Sequence, residues 1–259
     1  MTPRVALVTG GGRGIGRAIA LRLAKDGLAV AVVARSLDQL EATAAAVRAV
    51  GVPALALALD VTDEAAIVAA VAETSRALGA IDVVVNNAGI AESAPVARTE
   101  RELWERHLRV NATGPFLVTR ATLPAMVERR WGRIINVASL AGLYGAPYVT
   151  AYTASKHALV GFTRALASEI AGKGVTANAL CPGFVATDLL WDSARNIVAK
   201  TGTSFEEAVA ALARMNPGRR LIEPHEVAEA AARLVHDGAT NGECLVLDGS
   251  APHTKGASR

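Results

Sequence analysis

Tyr152 and Lys156 stand four residues apart, and Ser139 precedes the tyrosine by thirteen. A spacing of four puts the phenol and the amine on one helix face. Together with a nearby hydroxyl they form a set that can move a proton. Free tyrosine titrates near pH ~10, so its use at neutral pH calls for a cation beside the phenolate. At ~4 Å and an effective dielectric of ~20, an ammonium would contribute about 4 kcal/mol, enough to bring Tyr152 near 7. Tyr144 and Tyr148 are each followed at i+4 by another tyrosine and sit beside Pro147, which suits them to lining a pocket. His157 points to another helix face than Lys156 and reads as a packing residue. Ser139 is read two ways, as a hydrogen-bond donor to a substrate oxygen or as a strand-end cap of its own loop.

A proton-transfer set needs elements to hold it. Short Val/Ala/Leu/Ile runs at Val5–Thr9, Ala29–Ala34, Ala54–Asp60, Asp82–Asn86, Arg133–Ala138, Val175–Cys181 and Cys244–Leu247 alternate with helical patterns at about 14–26, 36–50, 63–78, 99–129, 150–172 and 224–236. Continuously apolar runs are expected in parallel strands covered on both faces. The alternation predicts an α/β, Rossmann-like doubly wound parallel sheet of about seven strands, helices on both faces, ligands at the carboxyl ends of the strands. One domain spans 1–259. The segment 188–217 breaks the rhythm with helical character and no strand, as a substrate lid does. A polar tail, 252–259, closes the chain.

The first strand runs into Thr9-Gly10-Gly11-Gly12-Arg13-Gly14-Ile15-Gly16 at the opening of a helix. Glycines there let the backbone approach a pyrophosphate, which the free N–H groups of the helix start can bind. The spacing Gly10, Gly14, Gly16 departs from the common G-x-G-x-x-G. Where an NAD-binding chain would carry an acid at the end of the second strand, this one has Ala34 followed by Arg35 and Ser36. With Arg13 these suit a 2′-phosphate, so NADP(H) is favoured over NAD(H); surface arginines are the plain alternative. Asp60 could accept from an adenine amino group or cap the next helix. Asn86-Asn87-Ala88-Gly89 ends the fourth strand, as a brace over a cofactor or a simple turn.

Composition narrows the field. The chain of 259 residues is 51% hydrophobic and 20% charged, enough to bury a large core. Net charge is +3, but basic residues are scattered and aromatics are only 4%, which speaks against nucleic acid. The stretch Ile134–Ser155 lacks charge, yet its prolyl, asparaginyl and tyrosyl groups would be costly in hydrocarbon, so no membrane span is expected. Cys181 and Cys244 suit buried thiols in a reducing compartment. With a strand beginning within four residues of the start and no leader, the chain is expected in the cytoplasm. The five histidines show no metal-ligand spacing, and no metal is expected.

Taken together, Thr9-Gly10-x-x-x-Gly14-x-Gly16, Asn86-Asn87-Ala88-Gly89, Asn111, Ser139, Tyr152-x-x-x-Lys156 and Pro182-Gly183 with Thr187 resemble the short-chain dehydrogenase/reductase family, over nearly the whole chain and in the family's order. The resemblance implies hydride transfer between a nicotinamide and a carbonyl carbon. It implies four catalytic residues: Tyr152 as proton donor, Ser139 on the substrate oxygen, Lys156 on the phenolate and the nicotinamide ribose, and Asn111 holding a water. It implies a cofactor contact set of Gly10, Gly12, Arg13, Gly14, Ile15 and Gly16, then Arg35, Ser36, Asp60 and Val61, then Asn87, Ala88 and Gly89, and finally Pro182, Gly183, Val185 and Thr187, with Tyr152 and Lys156. Substrate would meet Ser139, Tyr144, Tyr148, Leu190 and Trp191.

Within the family the chain looks most like 3-oxoacyl-thioester reductases and polyketide ketoreductases. The expected substrate is a small carbonyl or alcohol, free or tethered to acyl carrier protein or coenzyme A. Arg130 and Lys173 fall where carrier-protein reductases present basic residues to an acidic carrier, though helix ends are often basic in any case. The resemblance also suggests a homotetramer built on helices 99–129 and 150–172. Two rivals stand beside this reading: a dehydrogenase oxidising a secondary alcohol or 3-hydroxyacyl-CoA with NAD(P), and a catalytically silent protein that senses nicotinamides.

Overall fold

A computed structural model describes residues 3–250. The apolar runs form strands β1 (Val5–Thr9), β2 (Ala29–Ala34), β3 (Ala54–Ala58), β4 (Ile81–Asn86), β5 (Gly132–Val137), β6 (Val175–Pro182) and β7 (Cys244–Leu247). All pair in parallel, in the order β3-β2-β1-β4-β5-β6-β7. Successive strand residues point to opposite faces, so each run feeds two cores. Ala6, Val8, Val30, Val32, Ile135 and Val137 pack in one cluster, and Leu7, Ala31, Val33, Val84 and Ile134 in another. Both faces are therefore dry, as parallel sheets require.

Helices α1 (Gly14–Lys25), α2 (Leu37–Ala49), α3 (Glu64–Leu78), α4 (Arg101–Leu108), α5 (Gly114–Glu128), α6 (Thr150–Glu169), α7 (Asp188–Thr201), α8 (Phe205–Met215) and α9 (Pro224–His236) connect them. Because β1 lies between β2 and β4, the chain winds in opposite senses on either side of it. That reversal opens a crevice at the carboxyl ends of β1 and β4.

Two boundaries differ from expectation. β3 stops at Ala58 rather than Asp60, since Asp60 turns the chain by accepting from the N–H and hydroxyl of Thr62, at 2.9 and 2.8 Å. The helix expected over 99–129 runs from Arg101 to Glu128 but changes pitch on the way. A π-helical turn, Arg109–Thr113, joins α4 to α5, and the α-helical pitch resumes at Gly114-Pro115. Residues 188–217 form α7 and α8, which share a small core of Leu190, Ala194, Ala208 and Leu212. Among the described residues no helix is long and apolar enough to cross a membrane. The tail 252–259 lies outside the described residues.

Candidate active site

Tyr152 and Lys156 occupy the first two turns of α6, and Ser139 lies just beyond the end of β5. The three meet. Ser139 hydrogen-bonds the Tyr152 phenol, while its Oγ accepts from the Ala141 N–H at 3.1 Å. Capping and catalytic readings of this serine are thus compatible, because one hydroxyl can accept and donate at once. Lys156 is buried and donates from Nζ to the Val137 carbonyl at 2.8 Å, 5.8 Å from the centre of the tyrosine ring.

The expected lowering of the phenol does not hold in this state. Burial pushes the Tyr152 phenol above its ordinary value; the Ser139 hydrogen bond acts against that rise and neighbouring Cys181 adds to it. Burial likewise pulls the Lys156 amine down to about 8. Desolvation penalises whichever form is charged, so it keeps the phenol protonated and weakens the ammonium. Cys181, wholly buried behind them, is raised to about 12 by burial and stays a neutral thiol.

Asn111 sits in the π turn, fully buried. Its Oδ1 accepts from the Ile90 N–H at 2.9 Å, and its Nδ2 donates to the Ile90 carbonyl at 2.9 Å and the Ser155 hydroxyl at 3.0 Å. Both amide hydrogens are thereby used, so a water could meet this side chain only at Oδ1. The asparagine side chain thus serves another segment's backbone from within a π turn. Gly89 leaves the space in front: a Cβ there would lie 3.2 Å from Asn111 Oδ1 and 3.6 Å from Lys156 Nζ.

The glycine loop packs tightly on the end of β4. A Cβ at Gly16 would fall 2.2 Å from the Gly10 carbonyl, and one at Gly10, where φ is +63°, 2.8 Å from Asn87 Nδ2. Asn87 Nδ2 donates to the carbonyls of Thr9 and Gly10, at 3.0 and 3.2 Å, and Thr9 Oγ1 accepts from the N–H groups of Asn87 and Ala88, both at 3.0 Å. Asn87 therefore acts as a brace, and Thr9 completes it. Behind the loop, α1 begins with no side-chain cap and no acid in its first turn, which leaves its N–H groups free for an anion. Residues and geometry fit a dinucleotide whose pyrophosphate meets this helix start.

Arg35 and Ser36 are exposed at the end of β2. The positive charge of Arg35 is among the causes that hold the Asp60 carboxylate below its ordinary value, after hydrogen bonding from Thr62. Arg13 reaches instead to the start of α7, where Nη1 donates to Asp188 Oδ2 at 3.0 Å. Val61 is buried, and its carbonyl lies 3.0 Å from a Cβ placed on Gly114. Past Pro182, the Gly183 N–H donates to Leu247 O at 2.8 Å, Val185 pairs with Ile222, and Thr187 leads into α7 with its methyl against Gly14.

The substrate residues divide. Tyr144 and Tyr148 are exposed on the loop between β5 and α6, and the Tyr148 carbonyl, at φ +66°, accepts from the Ala94 N–H at 2.8 Å. Leu190 is buried in the core shared by α7 and α8, so its side chain is spent on holding these two helices together rather than on lining a pocket. Trp191 lies against the Phe205 ring, centroids 6.2 Å apart.

Two residues escaped sequence reasoning. Asn216 is buried just after α8: Oδ1 accepts from the Phe184 N–H at 2.8 Å and Nδ2 donates to the carbonyls of Phe184 and Arg220, at 3.0 and 2.6 Å. His107 is fully buried with its ring edge-on to Tyr152, centroids 6.4 Å apart. For His107 the available signal was its spacing of four before Asn111. Nothing near Asn216 in sequence marks it.

The model for short chain dehydrogenases matches residues 4–197. A 3-oxoacyl-(acyl-carrier-protein) reductase of Haemophilus influenzae is 37% identical over 96% of this chain and 98% of its own length. A 2-(S)-hydroxypropyl-CoM dehydrogenase of Xanthobacter autotrophicus is 37% identical over 95% of each chain. Among solved structures, a variant of actinorhodin polyketide ketoreductase with NADPH superposes with a TM-score of 0.91 at 40% identity, covering 95% of this chain and 96% of that one. With the family model spanning most of the chain and these relatives matching it nearly end to end, the glycine loop and the Ser139, Tyr152 and Lys156 cluster lie in an oxidoreductase acting on keto and hydroxyl groups, and the chain belongs to the short-chain dehydrogenase family.

Proposed function

We propose that this chain reduces a 3-oxoacyl thioester, carried on acyl carrier protein or coenzyme A, to the 3-hydroxyacyl form with NADPH. The observation that carries the reading is a phenol kept protonated by burial and hydrogen-bonded to Ser139. Such a group gives up its proton only to a strong base. The alkoxide that develops as a ketone is reduced is one.

NADPH, when bound, supplies the hydride to the carbonyl carbon. The chain's own residues do the rest. Ser139 holds the carbonyl oxygen toward Tyr152, fixing the acceptor before charge develops on it. Tyr152 donates its proton to that oxygen. Lys156, at about 8, exists in both protonation states near neutrality and so can return a proton to the phenolate. The first turn of α1 would hold the pyrophosphate. Arg13, Arg35 and Ser36 would hold the 2′-phosphate, Arg13 by exchanging Asp188 for it.

The names of the carrier-protein reductase and polyketide ketoreductase relatives support the thioester substrate. The hydroxypropyl-CoM dehydrogenase relative supports the opposite direction, oxidation of a secondary alcohol. A screen of acetoacetyl-CoA, longer and cyclic β-ketothioesters and simple ketones, each with NADPH and NADH, separates the readings. The proposal expects β-ketothioesters to turn over best, with NADPH preferred. Turnover of simple ketones alone, or more than tenfold better efficiency with NADH, would overturn it. Trp104 and Phe116, exposed on α4 and α5, support assembly into a homotetramer through these helices and α6.

A further inference from the structure

The ring of Tyr152 is held by a histidine that no step above employs. His107 lies one helical turn before Asn111, wholly buried. Its Nε2 receives the Glu92 backbone N–H at 3.1 Å, so Nε2 carries no proton and the neutral ring's hydrogen is on Nδ1. That hydrogen points to the Leu103 carbonyl, 2.8 Å away and one turn back on α4. Both nitrogens are thus satisfied, and the ring orientation is fixed. What the fixed ring touches is Tyr152, edge to face.

The segment on the other side of His107 is the stretch between β4 and α4. Glu92 is tied to His107 by its amide and to Arg106 by its carboxylate, at 2.7 and 2.8 Å. Ile90 is tied to Asn111 through both its backbone groups. Ala94 is tied to Tyr148. One face of α4 and the π turn, 103, 107 and 111, therefore carries this stretch on one side and the catalytic tyrosine on the other.

We propose that His107 is a positioning residue, locking the Tyr152 ring in its proton-donating orientation and coupling it to the 90–94 stretch, which also holds Asn111 and Tyr148. The proposal rests on the reading of Tyr152 as the proton donor. A histidine is suited to the place because it combines a small flat ring for the tyrosine with an acceptor at the far end for an amide. Leucine would fill the volume and lose both. Glutamine would keep the acceptor.

The chain has three tyrosines, so 13C-labelled tyrosine gives three phenol signals, and Tyr152→Phe identifies the one that matters. In His107→Leu, the Tyr152 signal should broaden or shift and its titration midpoint fall, while the signals of Tyr144 and Tyr148 stay put. Turnover should drop about tenfold, as expected for a small misplacement of a reacting group, with the dissociation constant for NADPH unchanged. His107→Gln should recover turnover to within about threefold of the parent. The proposal is overturned if His107→Leu leaves the Tyr152 signal, its titration and turnover within twofold of the parent, or if the leucine and glutamine variants fall alike. Should His107→Leu fail to fold, the glutamine variant and its Tyr152 titration still decide. Absence of ketoreductase activity in the parent would sink the functional reading alone, since the tyrosine spectra report the coupling without turnover.

Discussion

At Tyr152 and Lys156, burial does more than charge pairing. A ~4 kcal/mol attraction between ammonium and phenolate would lower the phenol by about three units, but it requires both groups to be charged in a dry site. The chain keeps the phenol protonated and the amine near 8 instead. A measurable consequence follows for stability. Below pH 8 the folded protein carries a buried ammonium that the unfolded chain would solvate, and the cost relaxes as pH rises from 8 toward the unfolded value near 10.4. Lys156→Met should therefore stabilise the ligand-free protein at pH 7, by roughly 3 kcal/mol at most. The advantage should shrink as urea melts are repeated toward pH 10. A gap that stays constant with pH would show that Lys156 is not strained by its burial.

At the scale of elements, the strands and the glycine loop were legible because their causes are local. β-branched and alanine runs made the sheet, and the Gly10, Gly14, Gly16 spacing marked the cradle. Gly16 tests this: Gly16→Ala would drive a methyl into the Gly10 carbonyl, so cofactor affinity should fall at least about tenfold by fluorescence titration while far-ultraviolet dichroism stays native. The π turn was not legible. The helical pattern runs on through 99–129, and the π turn holds Asn111, whose partner Ile90 lies in another segment. Asn216 was hidden for the same reason, since its partner Phe184 lies 32 residues away. Asn216→Ala removes three buried hydrogen bonds at the point where the lid returns to the sheet. It should cost about 1–3 kcal/mol in stability, and raise KM for the thioester more than KM for NADPH. Equal rises in both would place Asn216 outside the lid's anchoring.

Across the whole molecule, the catalytic residues and the basic pair sit at opposite ends of the sheet. Ser139 follows β5, whereas Arg130 and Lys173 precede β5 and β6, with Arg130 reaching to the Gly172 carbonyl at 3.3 Å. A six-residue strand spans ~20 Å, which sets the scale of that separation. Arg130→Glu with Lys173→Glu should raise KM for a carrier-bound ketoacyl substrate several-fold at low salt and leave the coenzyme A thioester unaffected. Equal effects on both substrates would remove the pair from docking. The proposed reaction stands or falls on Tyr152 as its proton donor. Its most direct test is NADPH consumption with a β-ketothioester by the parent and by Tyr152→Phe, with NADPH binding checked in both. The account predicts steady turnover in the parent and a loss of about 10²–10⁴-fold in the variant at unchanged NADPH affinity. A variant that retained more than a tenth of the parent's rate would contradict it.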